Sequence, residues 1–355
     1  MTAQRIKQIL DAFPKIRIAV IGDYFLDKWL TVDRRLDEVS VETGLTAYQV
    51  VGKRIFAGAA GTVMANLSAL DIGELYAVGF VGDDGEGFEL LRDLRAKRVN
   101  TDLLIRSTLV MTPTYTKPMF LENGVETETH RLDFKNKDTT PAELEEQVIQ
   151  NLWTIAPRVD AIIALDQLDD ADHGVITSHV RDELAKVADA HPDLIIFADS
   201  RSFINQFRNV IVKCNDIEAV RIVHPELTGV KQEMDVVKPC LAAFAKLTGR
   251  CVFVTCGKRG VLAMRDDGEA VLIPAPPDTG PIDIVGAGDA CTSGIVSSLC
   301  AGATAEEAAM VGNLVSSITI QCIGECGTAS REGIFKRFGE HHGAGAEHSH
   351  QTVHY

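Results

Sequence analysis

PAELEEQVIQNLWTIAPRVDAIIALDQLDDADHGVITSHVRDELAKVADA, residues 141–190, places a short apolar run between two helix-length patterns. The flanks, 141–153 and 176–190, read as helices, and AIIAL at 161–165 reads as a strand. The same alternation extends in both directions, with strand-like runs at 16–21, 75–81, 194–198, 210–213 and 252–255. Strands separated by helices signal βαβ units, so the sequence predicts an α/β fold built on a doubly wound, mainly parallel sheet flanked by helices. Such sheets bind ligands beyond the carboxyl ends of their strands, which directs attention to the residues that follow each run.

Two stretches break the alternation. Residues 28–51 are polar and β-like, and residues 112–133 carry Asn123-Gly124, a type I′ hairpin signal. Together they predict a small antiparallel β lid standing off the main sheet, one that closes over a substrate or pairs with a second subunit's lid as a homodimer. Residues 339–355 hold five of the ten histidines and several glycines without apolar periodicity, the pattern of a flexible tail. The expected organisation is one domain over 1–338, with the tail behind it.

Composition narrows the partners. The chain has 355 residues, 46% of them hydrophobic, and 35 Lys plus Arg against 50 Asp plus Glu, a net charge of -15. That balance opposes sequence-independent attraction to nucleic acid or to an anionic membrane. No apolar run approaches a membrane span or a signal peptide's core, and all eight cysteines fall between Cys214 and Cys326 without a C-x-x-C pair. Reduced thiols and a cytoplasmic location are expected.

The chemistry concentrates in PIDIVGAGDACTSGIVSSLCAG, residues 281–302. Gly286, Ala287 and Gly288 form a tight turn opening a helix, with Ala290, Gly294, Ser297 and Ser298 small enough for close packing. Backbone N–H groups converging at a helix N-terminus suit the oxygens of a transferring phosphoryl group. Asp289 faces the same point and can take the proton of an attacking hydroxyl, and the helix end is expected to keep it ionised. As a plain alternative, G-A-G-D is a helix start with a capping aspartate.

Other segments follow strands in the required way. Asn215 and Glu218, three apart, put both side chains at one helix end, where they hold a hydrated divalent ion or simply form a capping box. Thr255, Gly257 and Gly260 close another strand, and glycines there either let backbone approach a ligand or make a routine turn. Asp23 follows the first run directly and can receive two hydroxyls or cap a turn.

In order and spacing these motifs resemble the ribokinase, or PfkB, family of carbohydrate kinases, over roughly residues 16–335. The family signature D-T-x-G-A-G-D is matched by Asp283, Gly286, Ala287, Gly288 and Asp289, with Ile284 and Val285 where hydroxyl residues are usual. The resemblance implies a ribokinase-like fold. It also implies Asp289 as catalytic base, the Gly-Ala-Gly amides as anion hole, and ATP with Mg²⁺ as cofactors. Asn215, Glu218, Thr255, Gly257, Gly260 and Asn313 would serve the nucleotide, Glu218 holding Mg²⁺ through water, and Gly324 and Gly327 would lie in the closing loop. Asp283 would mark a monovalent-cation site. On the acceptor side the resemblance implies Asp23 and the glycine-rich FAGAAG segment with Gly58, where Ala57 replaces the first glycine and Gly61 stands at the sugar-binding asparagine.

The stretches at 113–117, 130–134 and 198–220 are similar to the kinase half of the heptose-7-phosphate kinase/ADP-heptose synthases. By that likeness Lys117 and Arg131 on the lid, and Arg201 after a strand, supply positive charge for a substrate phosphate. The expected activity is phosphorylation of a hydroxyl on a sugar or sugar phosphate. A nucleoside acceptor, suggested by Tyr24, Phe25 and Trp29, and a non-catalytic sensor of the same fold remain open as alternatives.

Overall fold

The computed structural model describes residues 1–227, 233–265, 268–278, 280–324 and 326–347, with no side chains described over 342–347. Sixteen strands and ten α-helices are assigned among them. Strands β1 (Arg17–Gly22), β2 (Tyr24–Val32), β3 (Glu38–Val39), β4 (Thr46–Ala47) and β5 (Val50–Ala59) come first, after helix α1 (Ala3–Ala12). Helix α2 (Ala60–Ala69), β6 (Glu74–Gly82), α3 (Gly85–Ala96) and β7 (Val99–Ser107) lead to β8 (Thr114–Glu122), β9 (Val125–Glu128) and β10 (Leu132–Phe134). Then α4 (Ala142–Ile155), β11 (Ala161–Asp166), α5 (Ser178–Ala190), β12 (Ile195–Ser200), β13 (Ile211–Asn215), α6 (Asp216–Val223), α7 (Met234–Thr248) and β14 (Val252–Thr255) alternate. The chain closes with β15 (Val261–Met264), β16 (Ala270–Ile273), α8 (Ala287–Cys300), α9 (Ala305–Thr319) and α10 (Arg331–Glu347).

Nine strands form the main sheet in the order β16-β15-β14-β13-β12-β11-β1-β6-β7, parallel from β14 to β7 and antiparallel only at the β14-β15-β16 edge. Alternate side chains of one strand enter opposite layers, as a two-sided sheet demands. Ile18 and Val20 join α1, α2, α3, α8, α9 and α10 on one face, while Ala19 and Ile21 join α4, α5, α6 and α7 on the other. Each such buried Ile or Leu stabilises the fold by about 1.5–3 kcal/mol relative to exposure. Local signals agree with these ends. Thr177 Oγ1 accepts from the Val180 N–H at the start of α5, and Thr304 with Glu307 makes a capping box on α9.

The second sheet is the expected lid, with strand order β10-β8-β2-β5 and β9 paired to β8. It begins earlier and ends later than expected, at Tyr24 and Ala59 in its first segment. One pair departs from the antiparallel pattern: β2 and β8 run parallel from Leu26↔Thr114 to Val32↔Phe120. The cause is topological, because β2 leaves β1 and β8 follows β7, and β1 and β7 point the same way in the main sheet. Asn123 and Gly124, both at positive φ, turn β8 into β9 as the hairpin signal predicted. Segment 339–355 is helical as far as Glu347, and its remainder lies outside the described residues.

Candidate active site

The turn into α8 is where the sequence reading puts the phosphoryl chemistry. Gly286 adopts a left-handed conformation (φ 77°) that a side chain would strain, and it caps the helix. α8 then lies close along α9, since an added Cβ at Gly294 would come within 3.0 Å of the Gly312 Cα. Ser297 and Ser298 satisfy their hydroxyls on carbonyls one turn back. The small residues between 290 and 298 therefore do what the sequence suggested. Ala287 is a correction to the expected anion hole, because its N–H closes the turn onto the Ile284 carbonyl at 3.1 Å. The N–H groups of Gly288 and Asp289 follow in the first helical turn, where intrahelical partners are lacking, and both residues line the pocket.

Beside them stands a cation that sequence reasoning missed. Lys213, on β13, is 4% exposed, with Nζ 2.7 Å from Asp199 Oδ2 on β12. Thr292 of α8 donates to the same oxygen at 3.0 Å. An added Cβ at Gly288 would lie only 3.7 Å from Nζ, so the ammonium sits against the turn into α8. Burial pulls its pKa down, but the Asp199 charge, the nearby Cys291 and Glu218 and the hydrogen bond to Asp199 together outweigh it, so the pKa is raised and the amine stays charged. The available signal was a lysine at the centre of the short strand IVKCN.

Asp289 was expected to stay ionised, and the structure reverses that direction. Burial, then the like charge of Asp199, push its carboxyl up to about 7 against the opposing pull of Lys213 and Arg201. Desolvation outweighs the helix end here. A base poised near neutrality is well matched to taking a hydroxyl proton at neutral pH.

A cavity of about 570 Å³ extends from this turn along the ends of β13 and β14. Asn215, Glu218, Thr255, Gly257, Gly260 and Asn313 all line it, so the structure brings the predicted nucleotide set together. Their roles separate, however. Asn215 and Glu218 form the capping box, each side chain accepting from the other's backbone N–H at 2.8 Å, which fixes both at the pocket wall. Thr255 Oγ1 donates to the Cys214 carbonyl at 3.4 Å. Gly257 (φ 55°) has open space where a Cβ would project, whereas a Cβ at Gly260 (φ 105°) would overlap the Ile273 carbonyl. Asn313, expected to contact the nucleotide, donates instead to the carbonyls of Ile273 and Pro274 and holds the segment bearing Ala275 and Pro276. Asp283 accepts from the N–H groups of Val285 and Gly324, so its carboxylate staples the turn to the closing loop.

Among the described residues no group of three or more His, Cys, Asp or Glu side chains could hold a metal ion. The oxygen donors at the pocket, Glu218, Asp216 and Asp199, suit a hydrated hard ion entering with phosphates.

The acceptor side needs a larger correction. Asp23, expected to receive sugar hydroxyls, is 4% exposed and accepts from the backbone N–H groups of Gln167 (3.1 Å) and Val175 (2.8 Å). It pins the loop after β11. Asp27, four residues on, is a second carboxylate near this end of β1. It lies on β2 facing the lid's inner residues, its Oδ2 directly over Gly58, where any Cβ would overlap it. Burial raises its pKa while Lys117 and Arg131 oppose, and no described residue donates a hydrogen bond to it.

Gly61 serves packing, since an added Cβ would overlap that of Ala57 where β5 turns into α2. Lys117 lies 3.5 Å from Glu128 and over Trp29, and Arg131 bonds Asp133 at 2.7 and 2.8 Å while covering Tyr115. A smaller cavity, about 180 Å³, is lined by Asp23, Phe25, Tyr115, Lys135, Asp169 and Arg201.

The pfkB family carbohydrate kinase profile matches residues 15–331. The bifunctional protein HldE of Vibrio cholerae serotype O1 is 25% identical over 326 residues, 91% of this chain and 63% of that protein. Its counterpart in Geotalea uraniireducens is 24% identical over 331 residues, 93% and 64% respectively. The chain thus spans under two thirds of the length of these relatives. Among solved structures, Arabidopsis thaliana ribokinase complexed with ribose and ATP superposes with a TM-score of 0.65 at 18% identity, covering 91% of this chain and 98% of that one. Escherichia coli phosphofructokinase-2 in complex with potassium gives 0.69 at 16% identity, covering 92% and 99%. Both share the ribokinase-like fold.

Proposed function

The chain belongs to the PfkB family of carbohydrate kinases, and on that footing we propose that it transfers the γ-phosphoryl group of ATP to a hydroxyl of a sugar or sugar phosphate. The observation that carries the reading is the meeting of Asp289, the Gly288 turn and buried Lys213 at the inner end of the 570 Å³ pocket. ATP would lie along β13 and β14 with its adenine side towards Ala275 and Pro276. Mg²⁺, when bound with the phosphates, neutralises their charge; Glu218 and Asp199 are the residues that would hold it, through water.

Asp27 would accept the acceptor's hydroxyls, with Gly58 leaving room for its carboxylate. Asp289 takes the proton of the attacking hydroxyl, and the N–H groups of the α8 turn with Lys213 receive the developing negative charge. Little proton removal is demanded early in a loose transition state, so a base near neutrality suffices. Lys117 and Arg131 support an anionic acceptor such as a heptose phosphate, since both lie on the lid beside Asp27. A nucleoside acceptor has a narrower basis: Tyr24 is buried with its hydroxyl on the Val20 carbonyl, leaving Phe25 and Tyr115 as the available rings.

Val39 and Leu45, in the separate β3-β4 ribbon, and Val125, on β9, are at least 65% exposed. We assign that surface to a second copy of the chain. A cytoplasmic setting agrees with eight cysteines that form no disulfide. The test of the activity is ADP release from MgATP across pentoses, hexoses, heptoses, their phosphates and nucleosides. Acceptor-stimulated release from a sugar or sugar phosphate is expected, and silence across the panel would refute the kinase reading.

A further inference from the structure

Two cavities meet at one arginine. Arg201 directly follows β12 and lines both the 570 Å³ pocket and the 180 Å³ cavity beside the lid; Gln167 is the other residue common to the two. Its backbone is fixed on both sides, because its N–H donates to the Asp166 carbonyl at 3.2 Å and its carbonyl accepts from Arg221 Nη2 at 2.7 Å. The guanidinium makes no ion pair or hydrogen bond with any described residue. The side chain is exposed, and it shares the wall of the smaller cavity with Asp169. Its charge nevertheless reaches into both spaces, lowering the pKa of Asp289 in one and of Tyr115 in the other.

We propose that Arg201 is a catalytic residue that stays with the phosphoryl group as it crosses from nucleotide to acceptor. The inference rests on the phosphoryl-transfer reading above. In that step the acceptor oxygen forms a bond to the γ-phosphorus and the bond from phosphorus to the β–γ bridging oxygen breaks. ADP departs with the bond's electron pair, and the acceptor's proton passes to Asp289. Charge on the three equatorial oxygens persists throughout, while Lys213 and the α8 turn face it from the nucleotide side only. A planar, multi-donor cation on the wall between the cavities faces the same oxygens from the acceptor side. An arginine held back for a ligand in this way needs no protein partner.

The test uses the full chain and the Arg201→Gln and Arg201→Lys variants. MgADP binding is compared with and without aluminium fluoride, a mimic of the transferring group, and turnover is measured with MgATP and the best acceptor from the panel. Arg201→Gln is expected to bind MgADP within about twofold of the parent. It should lose the added affinity for the aluminium fluoride complex, and its kcat should fall about 10²- to 10³-fold. The KM for ATP stays within about threefold, and guanidinium ion in solution restores part of the rate. Arg201→Lys falls between, and circular dichroism confirms that both variants fold. Equal binding of the aluminium fluoride complex by parent and Arg201→Gln overturns the proposal, as does a kcat within threefold of the parent accompanied only by a higher acceptor KM. Should no acceptor stimulate the parent, the kinase reading fails first and the binding comparison still decides the role of Arg201.

Discussion

Lys213 and Asp199 form a buried ion pair, Nζ to Oδ2 at 2.7 Å, that lies against the first turn of α8. Removing one partner strands the other, which typically costs about 3–5 kcal/mol. Lys213→Met is expected to lower stability by about that amount in urea denaturation. It also removes a charge that lowers the Asp289 pKa, so the acid limb of any residual activity moves to higher pH. A Lys213→Met protein with parental stability and an unmoved pH profile would contradict this placement.

Asp289 gives opposite signs for activity and stability. With its pKa raised to about 7, the base is protonated below that pH, so kcat/KM should rise with pH and level off above it. Stability runs the other way. The folded form holds a proton that an unfolded aspartate has released above about 4, so folding becomes less favourable as pH rises from about 4 to 7, and the cost is complete above 7. At about 1.4 kcal/mol per pH unit the effect is at most about 4 kcal/mol. Asp289→Asn should therefore abolish acceptor-stimulated ADP release, keep ATP affinity, and melt higher than the parent at pH 8. Parental turnover in this variant would remove Asp289 from the mechanism.

Gly257 and Gly260 share a motif but predict different phenotypes. A methyl at Gly260 meets the Ile273 carbonyl, at a φ of 105° that side chains avoid, and Gly260→Ala should cost roughly 2–4 kcal/mol. A methyl at Gly257 meets no protein atom within 4 Å but sits at the pocket wall. Gly257→Ala should lose only about 1–2 kcal/mol of stability while raising the KM for ATP. Thermal melts and ATP titrations separate the two.

The alternation of strands and helices made the main sheet legible, because a two-sided sheet leaves near-continuous apolar runs such as AIIAL. The lid was legible in its hairpin but not in its extent. Ile21, Gly22 and Asp23 read as a strand end, yet the chain passes from β1 into β2 with only Asp23 between. That is why the ligand-facing carboxylate was sought one position after the strand, whereas we propose Asp27 for that role. Lys213 was hidden by the run it closes, since partnership with Asp199 depends on β12 and β13 being neighbours. Asn313 lines up with the family motif but its side chain holds the Ile273–Pro274 segment, and Gly260 lies where a Cβ would overlap the Ile273 carbonyl.

The exposed apolar residues of the β3-β4 ribbon and of β9 predict a dimer. Val39, Leu45 and Val125 stand at 72%, 70% and 65% exposure, an arrangement costly to leave in water. Light scattering should give about twice the 38.5 kDa of the chain, and Val39→Glu combined with Leu45→Glu should give the monomer mass. A parent that stays at 38.5 kDa across micromolar concentrations would end this assignment.

Asp23 and Asp27 can be told apart by what each loses. Asp27 accepts no hydrogen bond from the described residues and faces Lys117 and Arg131, so its loss removes ligand contacts. Hydrogen bonds to a charged acceptor contribute about 1.5–3 kcal/mol each, and Asp27→Asn should lower kcat/KM for the acceptor about 10²-fold or more at unchanged stability. Asp23 is committed to the N–H groups of Gln167 and Val175. An amide there leaves one buried N–H facing another donor, so Asp23→Asn should cost about 1–3 kcal/mol of stability. The fraction that folds should keep kcat/KM within about tenfold of the parent. The reverse outcome, with Asp23→Asn stable but unable to use acceptor and Asp27→Asn kinetically normal, would return the sugar-binding role to Asp23.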